Sequence, residues 1–386
     1  MLNLWEHPLS VYIHLPWCIH KCPYCDFNSH ATELDQFPET KYVNSLTLDL
    51  ESHIHEVEDR EIQSIFIGGG TPSIFSPDSI GNILITCHEL LNITPDCEIT
   101  LETNPGTFER QKFSEFLSLG INRLSIGAQS FSDASLTVLG RIHDANEATD
   151  AIETAHTIGF KNINVDVMFA LPKQSIDDAL ADINHACQLP VNHISYYQLT
   201  LEPNTLFHRF PPNLPSKDDC WTMQSNGINQ LTNAGYSRYE VSAYSQNHTQ
   251  CVHNVNYWRF GDYLGIGAGA HSKLSTNNGI VRFQKPRQPD SYLKAVPNNT
   301  HIIQQRRLNT HDLIFEFMLN NLRLVEGFST QSFVDSTGLD WQLIESKISH
   351  LAHEGWLDVD HDHIKTTDMG YRFLDDLIER FLPRES

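Results

Sequence analysis

Three cysteines fall within eight residues, Cys18-Ile19-His20-Lys21-Cys22-Pro23-Tyr24-Cys25, with the spacing C-x3-C-x2-C. Clustered thiols of this kind, in a chain without a disulfide framework, point to soft metal ligation, either an iron–sulfur cluster or zinc. A structural zinc site wants four ligands, usually from two C-x2-C pairs. Here only Cys22 and Cys25 form such a pair, so a fourth ligand would come from His14, His20, His30 or Asp26. A [4Fe–4S] cluster held by three cysteines instead leaves one iron open to a small-molecule ligand.

Further candidates sit at the ends of β-rich runs. Gly68-Gly69-Gly70-Thr71-Pro72 closes one such run. Glycines there let backbone amides and carbonyls approach a ligand, because no Cβ intervenes. Glu102, Gln129 and Asp166 lie at or near the ends of three more runs. Polar groups in such places are costly when buried without partners, which makes them candidates for a polar site.

The elements that would position these residues alternate. Strand patterns cover 10–15, 64–67, 98–102, 123–126, 162–168 and 193–199. Helical patterns follow at 39–57, 78–91, 108–119, 132–139 with 147–158, 176–188 and 219–233. Six β–α units predict an α/β fold, a parallel sheet with helices outside that forms a partial or full (β/α) barrel. Its functional residues belong at the strand C-termini. Beyond Gly235 the pattern is mixed, with strands expected at 238–243 and 280–283. Helices at 312–322, 328–334 and 341–354, a hairpin opening at Gly355-Trp356-Leu357 and a helix at 368–381 predict a small winged-helix-like α+β domain. The expected divisions are a core at 1–235, a connecting segment packed on the barrel at 236–305 and a C-terminal domain at 306–386.

Composition narrows the function classes. The formal charge is −22, from 26 basic and 48 acidic residues. That disfavours nucleic-acid binding and a polybasic membrane anchor. No signal peptide or transmembrane run is read, and Cys87, Cys97, Cys187, Cys220 and Cys251 are scattered, most simply as buried or partly buried thiols. The expected compartment is the reducing cytoplasm. His53, His55, His361 and His363 read as solvated helix or loop residues. Gly265-Ile266-Gly267-Ala268-Gly269-Ala270 fits a dinucleotide fingerprint, but without the βαβ context it is rejected as one.

The cysteine motif, with Tyr24 before its third cysteine and a strand just before it, resembles the signature of the radical S-adenosylmethionine (SAM) superfamily. The resemblance implies a six-stranded partial barrel and a [4Fe–4S] cluster on Cys18, Cys22 and Cys25. It also implies an open iron that chelates SAM and can cleave it to a 5′-deoxyadenosyl radical. Within the superfamily, Tyr12, Tyr24, Gly69, Gly70, Thr71, Glu102, Gln129, Arg141 and Asp166 are similar to the SAM-binding positions of the anaerobic coproporphyrinogen-III-oxidase-like proteins. Arg141 stands in Gly140-Arg141-Ile142-His143, and a guanidinium suits the SAM carboxylate. His271, in the recurring segment 265–272, is a further candidate. Segments 322–327 and 367–370 carry the resemblance into the C-terminal domain.

Two branches of that family differ at the cysteine loop. The coproporphyrinogen III dehydrogenase branch, an oxidative decarboxylase of haem biosynthesis, has a fourth cysteine two residues after the third and an N-terminal extension. Here Phe27 takes that place and the motif begins at residue 18. The chain resembles instead the haem chaperone branch, which also carries the H-N-x-x-Y-W motif seen at His253-Asn254-Val255-Asn256-Tyr257-Trp258. That implies haem as a ligand, contact at His253, apo-haemoproteins as acceptors, some of them membrane-bound, and an electron donor. No nucleic acid is implied, and any membrane association would run through partners. The dehydrogenase is the alternative reading.

Overall fold

The computed structural model describes residues 8–33, 36–57 and 59–382; the polar start of the chain, residues 1–7, lies outside them. Six strands run parallel and in chain order: β1 Leu9–Leu15, β2 Glu61–Gly69, β3 Asn92–Thr103, β4 Arg123–Gln129, β5 Asn162–Phe169 and β6 His193–Gln198. Helices α1 Glu39–Glu51, α2 Pro77–Leu90, α3 Ala145–Ile158, α4 Ile176–Gln188 and α5 Lys217–Asn233 lie between or after them. Their starts are written in local sequence. Ser76 caps α2 ahead of Pro77, Asp144 and Glu147 form a capping box on α3, and Ser175 and Asp178 form one on α4.

Alternation along the strands divides the sheet into two faces. Val11, Ile13, Ile65, Ile67, Leu101, Leu124, Ile126, Val165, Val167 and Ile194 are fully buried in one apolar core with the helices. The intervening row differs: Tyr12, Phe66, Glu102, Gly127, Asp166, Ser195 and Tyr197 are only half-buried. These inward positions line a lumen that opens at the strand C-termini.

The expected six-unit sheet is extended at both edges by residues beyond 235. β7 Ser237–Arg238 and β8 Ala243–Ser245 add antiparallel to β6. β9 Asp262–Ile266 pairs parallel with β1, and β10 His271–Thr276, β11 Gly279–Gln284 and β12 Gln304–Arg307 continue antiparallel from it. The resulting order is β12-β11-β10-β9-β1-β2-β3-β4-β5-β6-β8-β7. Helix α6, Val252–Trp258, crosses the other end of the lumen, where Asn256 Nδ2 donates to Ser10 Oγ at 2.9 Å and to the Asp262 carbonyl at 2.8 Å.

Helices α7 Thr310–Asn321, α8 Thr330–Thr337 and α9 Gln342–His353 follow, with a three-stranded sheet of Phe328–Ser329, Leu357–Asp360 and His363–Thr366. This is the helices-plus-wing module expected. Its core joins Phe317, Phe333, Ile348 and Leu377 to Phe260 and Ile280, so it packs on the sheet's extension. No helix among the described residues is long and apolar enough to cross a membrane.

Several expectations change in detail. The strand expected at 238–243 splits in two, because the Glu240 carboxylate accepts from Ser242 N and Oγ at 2.9 Å each and Arg238 donates to the Glu240 and Val241 carbonyls. The helix expected over 108–119 breaks at Lys112, whose ammonium donates to the carbonyls of Ser73, Ile74 and Phe75. The final helix breaks at Phe373. His53, expected in solvent, is 1% exposed and stacks on Phe283.

Candidate cofactor-binding site

The cysteine loop leaves the C-terminal end of β1 and folds back on itself. Trp17–Cys18 pairs parallel with His30–Ala31, and His30 N donates to the Pro16 carbonyl at 2.7 Å. Lys21 Nζ donates across the loop to the Phe27 and Ser29 carbonyls at 3.0 and 3.1 Å. Asn28 Nδ2 ties the loop to the Ala268 and Arg287 carbonyls at 2.9 Å each, and His14 Nε2 donates to the Asn28 carbonyl at 2.9 Å. That last bond sets the His14 tautomer, so Nδ1 accepts from Tyr12 OH at 3.0 Å.

All eight cysteines are free thiols. Cys18 is buried, while Cys22 and Cys25 are half-buried. Burial pushes the Cys18 thiol up to about 11, with Cys25 and Cys22 adding to the rise, and burial likewise raises Cys25. Cys18 and Cys25 resist ionisation and need a positive centre to become thiolates. The ligand atoms of a mononuclear site must converge, yet among the described residues the group that brings three such atoms within 4.8 Å is Asp49, His53 and His301, not the cysteines. Sulfurs spread more widely than that suit separate irons of one cluster better than a single zinc. The donor set fits a [4Fe–4S] cluster.

A polar chain runs from this loop into the lumen. Arg141 NH1 donates towards Cys22 Sγ at 3.7 Å, and NH2 donates at 2.7 Å to both Asn104 Oδ1 and the Gly127 carbonyl. Asn104 Nδ2 in turn donates to Thr71 Oγ1 at 2.9 Å. Arg141 Nε is buried without a protein partner. Tyr24 lies against Phe207, and burial holds its phenol protonated.

At the end of β2 the glycines are sterically required. Gly69 has φ 126°, and a Cβ there would lie 2.8 Å from His14 Cε1; one at Gly70 would collide with the Trp17 carbonyl. Gly69 N donates to Glu102 Oε2 at 3.0 Å. Burial, with the Asp166 charge adding, raises Glu102 to about 7. Asp166 accepts from Asn164 Nδ2 at 2.8 Å and is raised by burial. Gln129 ends β4 with φ 71° and accepts from Tyr197 OH at 2.6 Å. The next residues are pinned by Asp182, which accepts from Ser130 Oγ and Phe131 N at 2.7 Å each. Glycine cradles, raised carboxyls and a partnerless guanidinium nitrogen at one lumen mouth fit a zwitterionic, cationic ligand such as SAM.

His253 is not at that mouth. It begins α6 at the opposite end of the lumen, with Nδ1 3.3 Å from Ser64 Oγ and its ring 5.0 Å from Phe66 and 6.2 Å from Tyr12. Burial, then the Arg123 charge, lowers it to about 3, so the imidazole is neutral at pH 7. His271 is exposed at the start of β10. The rejected fingerprint runs from β9 into the β9–β10 hairpin, with no helix after it. Its Gly267 N donates to Asp49 Oδ2 at 3.0 Å and Ala268 N to Tyr42 OH at 2.8 Å.

Sequence reasoning passed over Asn104, Tyr197, Asn28 and Lys21 as positioning groups. Asn104 had a signal, since it follows Glu102 at a strand end. Asn28 had none, because its partners are about 240 and 259 residues away.

Comparison with known proteins gives the same frame. Residues 12–186 match the Radical SAM superfamily and residues 308–373 the HemN C-terminal domain. The chain is 45% identical to the heme chaperone HemW of Haemophilus influenzae, over 98% of this chain and 99% of that protein. It is 44% identical to the heme chaperone HemW of Escherichia coli, over 97% and 98%. The solved structure of Escherichia coli coproporphyrinogen III oxidase, HemN, superposes with a TM-score of 0.82 at 21% identity, covering 97% of this chain and 90% of that one. With an expected six-stranded core present and full-length relatives of this identity, the chain belongs to the HemW family within the radical SAM superfamily.

Proposed function

We propose that this protein is a haem chaperone that binds a [4Fe–4S] cluster and SAM and passes haem to apo-haemoproteins. The observation that carries the reading is the likeness to heme chaperones over 98% of the chain, at 45% identity. Phe27 in place of a fourth cysteine accords with it.

In this reading Cys18, Cys22 and Cys25 hold the cluster. When bound, cluster and SAM supply one-electron chemistry at the lumen mouth. The chain's own residues do the positioning. Arg141 takes the SAM carboxylate beside Cys22, held in place by Asn104 and Gly127. The backbone of Gly69, Gly70 and Thr71 offers amides and carbonyls to the SAM amino group, while Glu102 and Asp166 supply carboxylates to its cationic parts. Tyr12 and Tyr24 shape the walls, and Tyr197 fixes Gln129. Haem is the cargo, with His253 as the candidate iron contact, and the acceptors are haemoproteins of the cytoplasm or at its membrane.

The test is haem titration of the anaerobically reconstituted protein. A haem absorption band is expected, weakened in His253→Ala. A band unchanged in that variant removes His253 from the mechanism; no band at all sinks the chaperone reading. Conversion of coproporphyrinogen III to protoporphyrinogen IX in the presence of SAM and reductant would replace it with the dehydrogenase.

A further inference from the structure

A second recognition surface borders the cysteine loop. A cavity of about 370 Å³ is lined by Lys21, by Cys25 and the residues that follow it to His30, by Pro203 and Asn204, and by Arg287 and Gln288. The volume is at the lower end of the range for small-molecule sites. Its lining combines an apolar plate with cations. Phe27 is 61% exposed, in a chain that buries most of its aromatic rings. Lys21 and Arg287 are exposed, and among the described residues no carboxylate forms an ion pair with either. His30 Nε2 is buried with no protein partner. Asp26 is the one acidic side chain of the lining. On a chain of net charge −22, a pocket lined by two cations and one carboxylate is the exception.

The two sides of this cavity are fixed relative to each other. Asn28 Nδ2 donates to the Arg287 carbonyl at 2.9 Å, which joins the cysteine loop to the segment carrying Arg287. Two residues earlier, Lys285 is locked in a buried ion pair with Asp49. Lys21 keeps an N–H free after its two carbonyl bonds, since an ammonium has three. An exposed aromatic face flanked by cations complements a flat apolar ring that carries carboxylates on one edge. Haem is such a molecule.

We propose that the cavity bordered by Phe27, Lys21, His30 and Arg287 is the docking site for the carboxylate edge of haem, with Phe27 against the macrocycle and Arg287 and Lys21 on the propionates. The proposal rests on haem being the cargo, and it gives haem a docking position separate from the His253 contact at the opposite end of the lumen. It places the cargo on the rim of the cluster loop, so that Phe27 has a positive role rather than marking a missing ligand.

The experiment titrates the full-length, cluster-reconstituted protein, saturated with SAM, with ferric haem and separately with haem dimethyl ester, whose carboxylates are masked. The native protein is expected to bind haem about tenfold tighter than the ester. Arg287→Ala is expected to lose that preference by weakening haem alone, Arg287→Lys to retain part of it, and Phe27→Ser to weaken both ligands. Unchanged iron content and SAM binding in Arg287→Ala would show that the loop is intact. Equal affinity of the native protein for haem and ester overturns the proposal without needing any variant, and leaves the chaperone reading standing. So does haem affinity unaltered in Arg287→Ala. Absence of haem binding by the native protein overturns both.

Discussion

Arg141 stands 3.7 Å from Cys22 Sγ through one terminal nitrogen, while the other is anchored at 2.7 Å to Asn104 and to the Gly127 carbonyl. The guanidinium therefore cannot swing away from the cysteine loop without breaking two bonds to the ends of β3 and β4. Its Nε remains without a protein partner. A planar fork fixed on one side and open on the other is a ready site for a carboxylate next to an iron atom.

Arg141→Ala is accordingly expected to weaken SAM binding by about 1.5–3 kcal/mol, roughly ten- to a hundredfold, as charged hydrogen bonds do when lost. Arg141→Lys recovers only part, because an ammonium cannot reproduce the fork. Anaerobic calorimetry with SAM measures the affinity. Electron paramagnetic resonance of the reduced cluster should show a SAM-dependent change in the native protein that fades in the alanine variant. Native-like affinity in that variant would rule out the carboxylate role.

The cysteines give a second, sharper contrast. Replacing Cys18, Cys22 or Cys25 by Ser is expected to lower iron and sulfide content severely after reconstitution, since a hydroxyl is a harder and far weaker ligand than a thiolate. Cys220→Ser, on the half-buried side of α5, is expected to leave both contents unchanged. Metal analysis with the charge-transfer absorption of the cluster decides. Equal loss from Cys220→Ser would mean the effect is one of folding rather than ligation.

How much of this was readable beforehand follows from the range of each interaction. The six strands and the cysteine loop rest on local pattern, and every one of the six expected strands is present with its ends moved by a few residues. The lumen residues Glu102, Gln129 and Asp166 were readable because polar groups at strand ends interrupt an apolar run. Of the edge extensions, the strand expected at 280–283 is present as β11, but β9 was not legible, since it joins β1 across some 250 residues and its short, fully buried run carries no alternation. His253 was legible as a motif but not as a position: nothing local says that α6 closes the end of the lumen opposite the cysteines. His53 misled for a related reason. Its neighbours in sequence are polar, but Asp49 one turn away and His301, distant in the chain, enclose it.

Glu102 ties the site to pH. Its carboxyl is raised to about 7 in the folded protein, against about 4.3 in an unfolded chain. Between those values the folded state holds a proton that the unfolded state has lost, so this group's contribution to stability falls as pH rises from about 4.3 to 7 and then levels off. SAM reverses the preference, because its cations favour the carboxylate. SAM affinity is therefore expected to rise through pH 7 in the native protein and to be lower and flatter in Glu102→Gln. Calorimetric titrations from pH 6 to 8 measure it, and an identical slope in the two proteins would assign the pH dependence to another group.

The last relationship lies behind the mouth. Asp49 and Lys285 are both fully buried and ion-paired, and Tyr292 OH donates to the same carboxylate at 2.6 Å. Burial alone would raise Asp49, but the Lys285 charge and the hydrogen bonds from His301, Lys285 and Tyr292 outweigh it and hold the carboxyl below its usual range. The convergence of Asp49, His53 and His301 within 4.8 Å suggests a metal site, yet the Lys285 ammonium already supplies the cation there. Added zinc should not raise the melting temperature. Asp49→Asn should cost about 3–5 kcal/mol, because it strands a buried ammonium, and Asp49→Asn with Lys285→Met should recover much of that. The Gly267 amide also loses its charged acceptor, so the single variant should loosen the 265–272 turn and, through Asn28 and the Ala268 carbonyl, the cysteine loop. Urea unfolding of the single and double variants reads the first effect, and cluster retention during dialysis reads the second. Additive losses in the double variant would show that the two charges do not depend on each other.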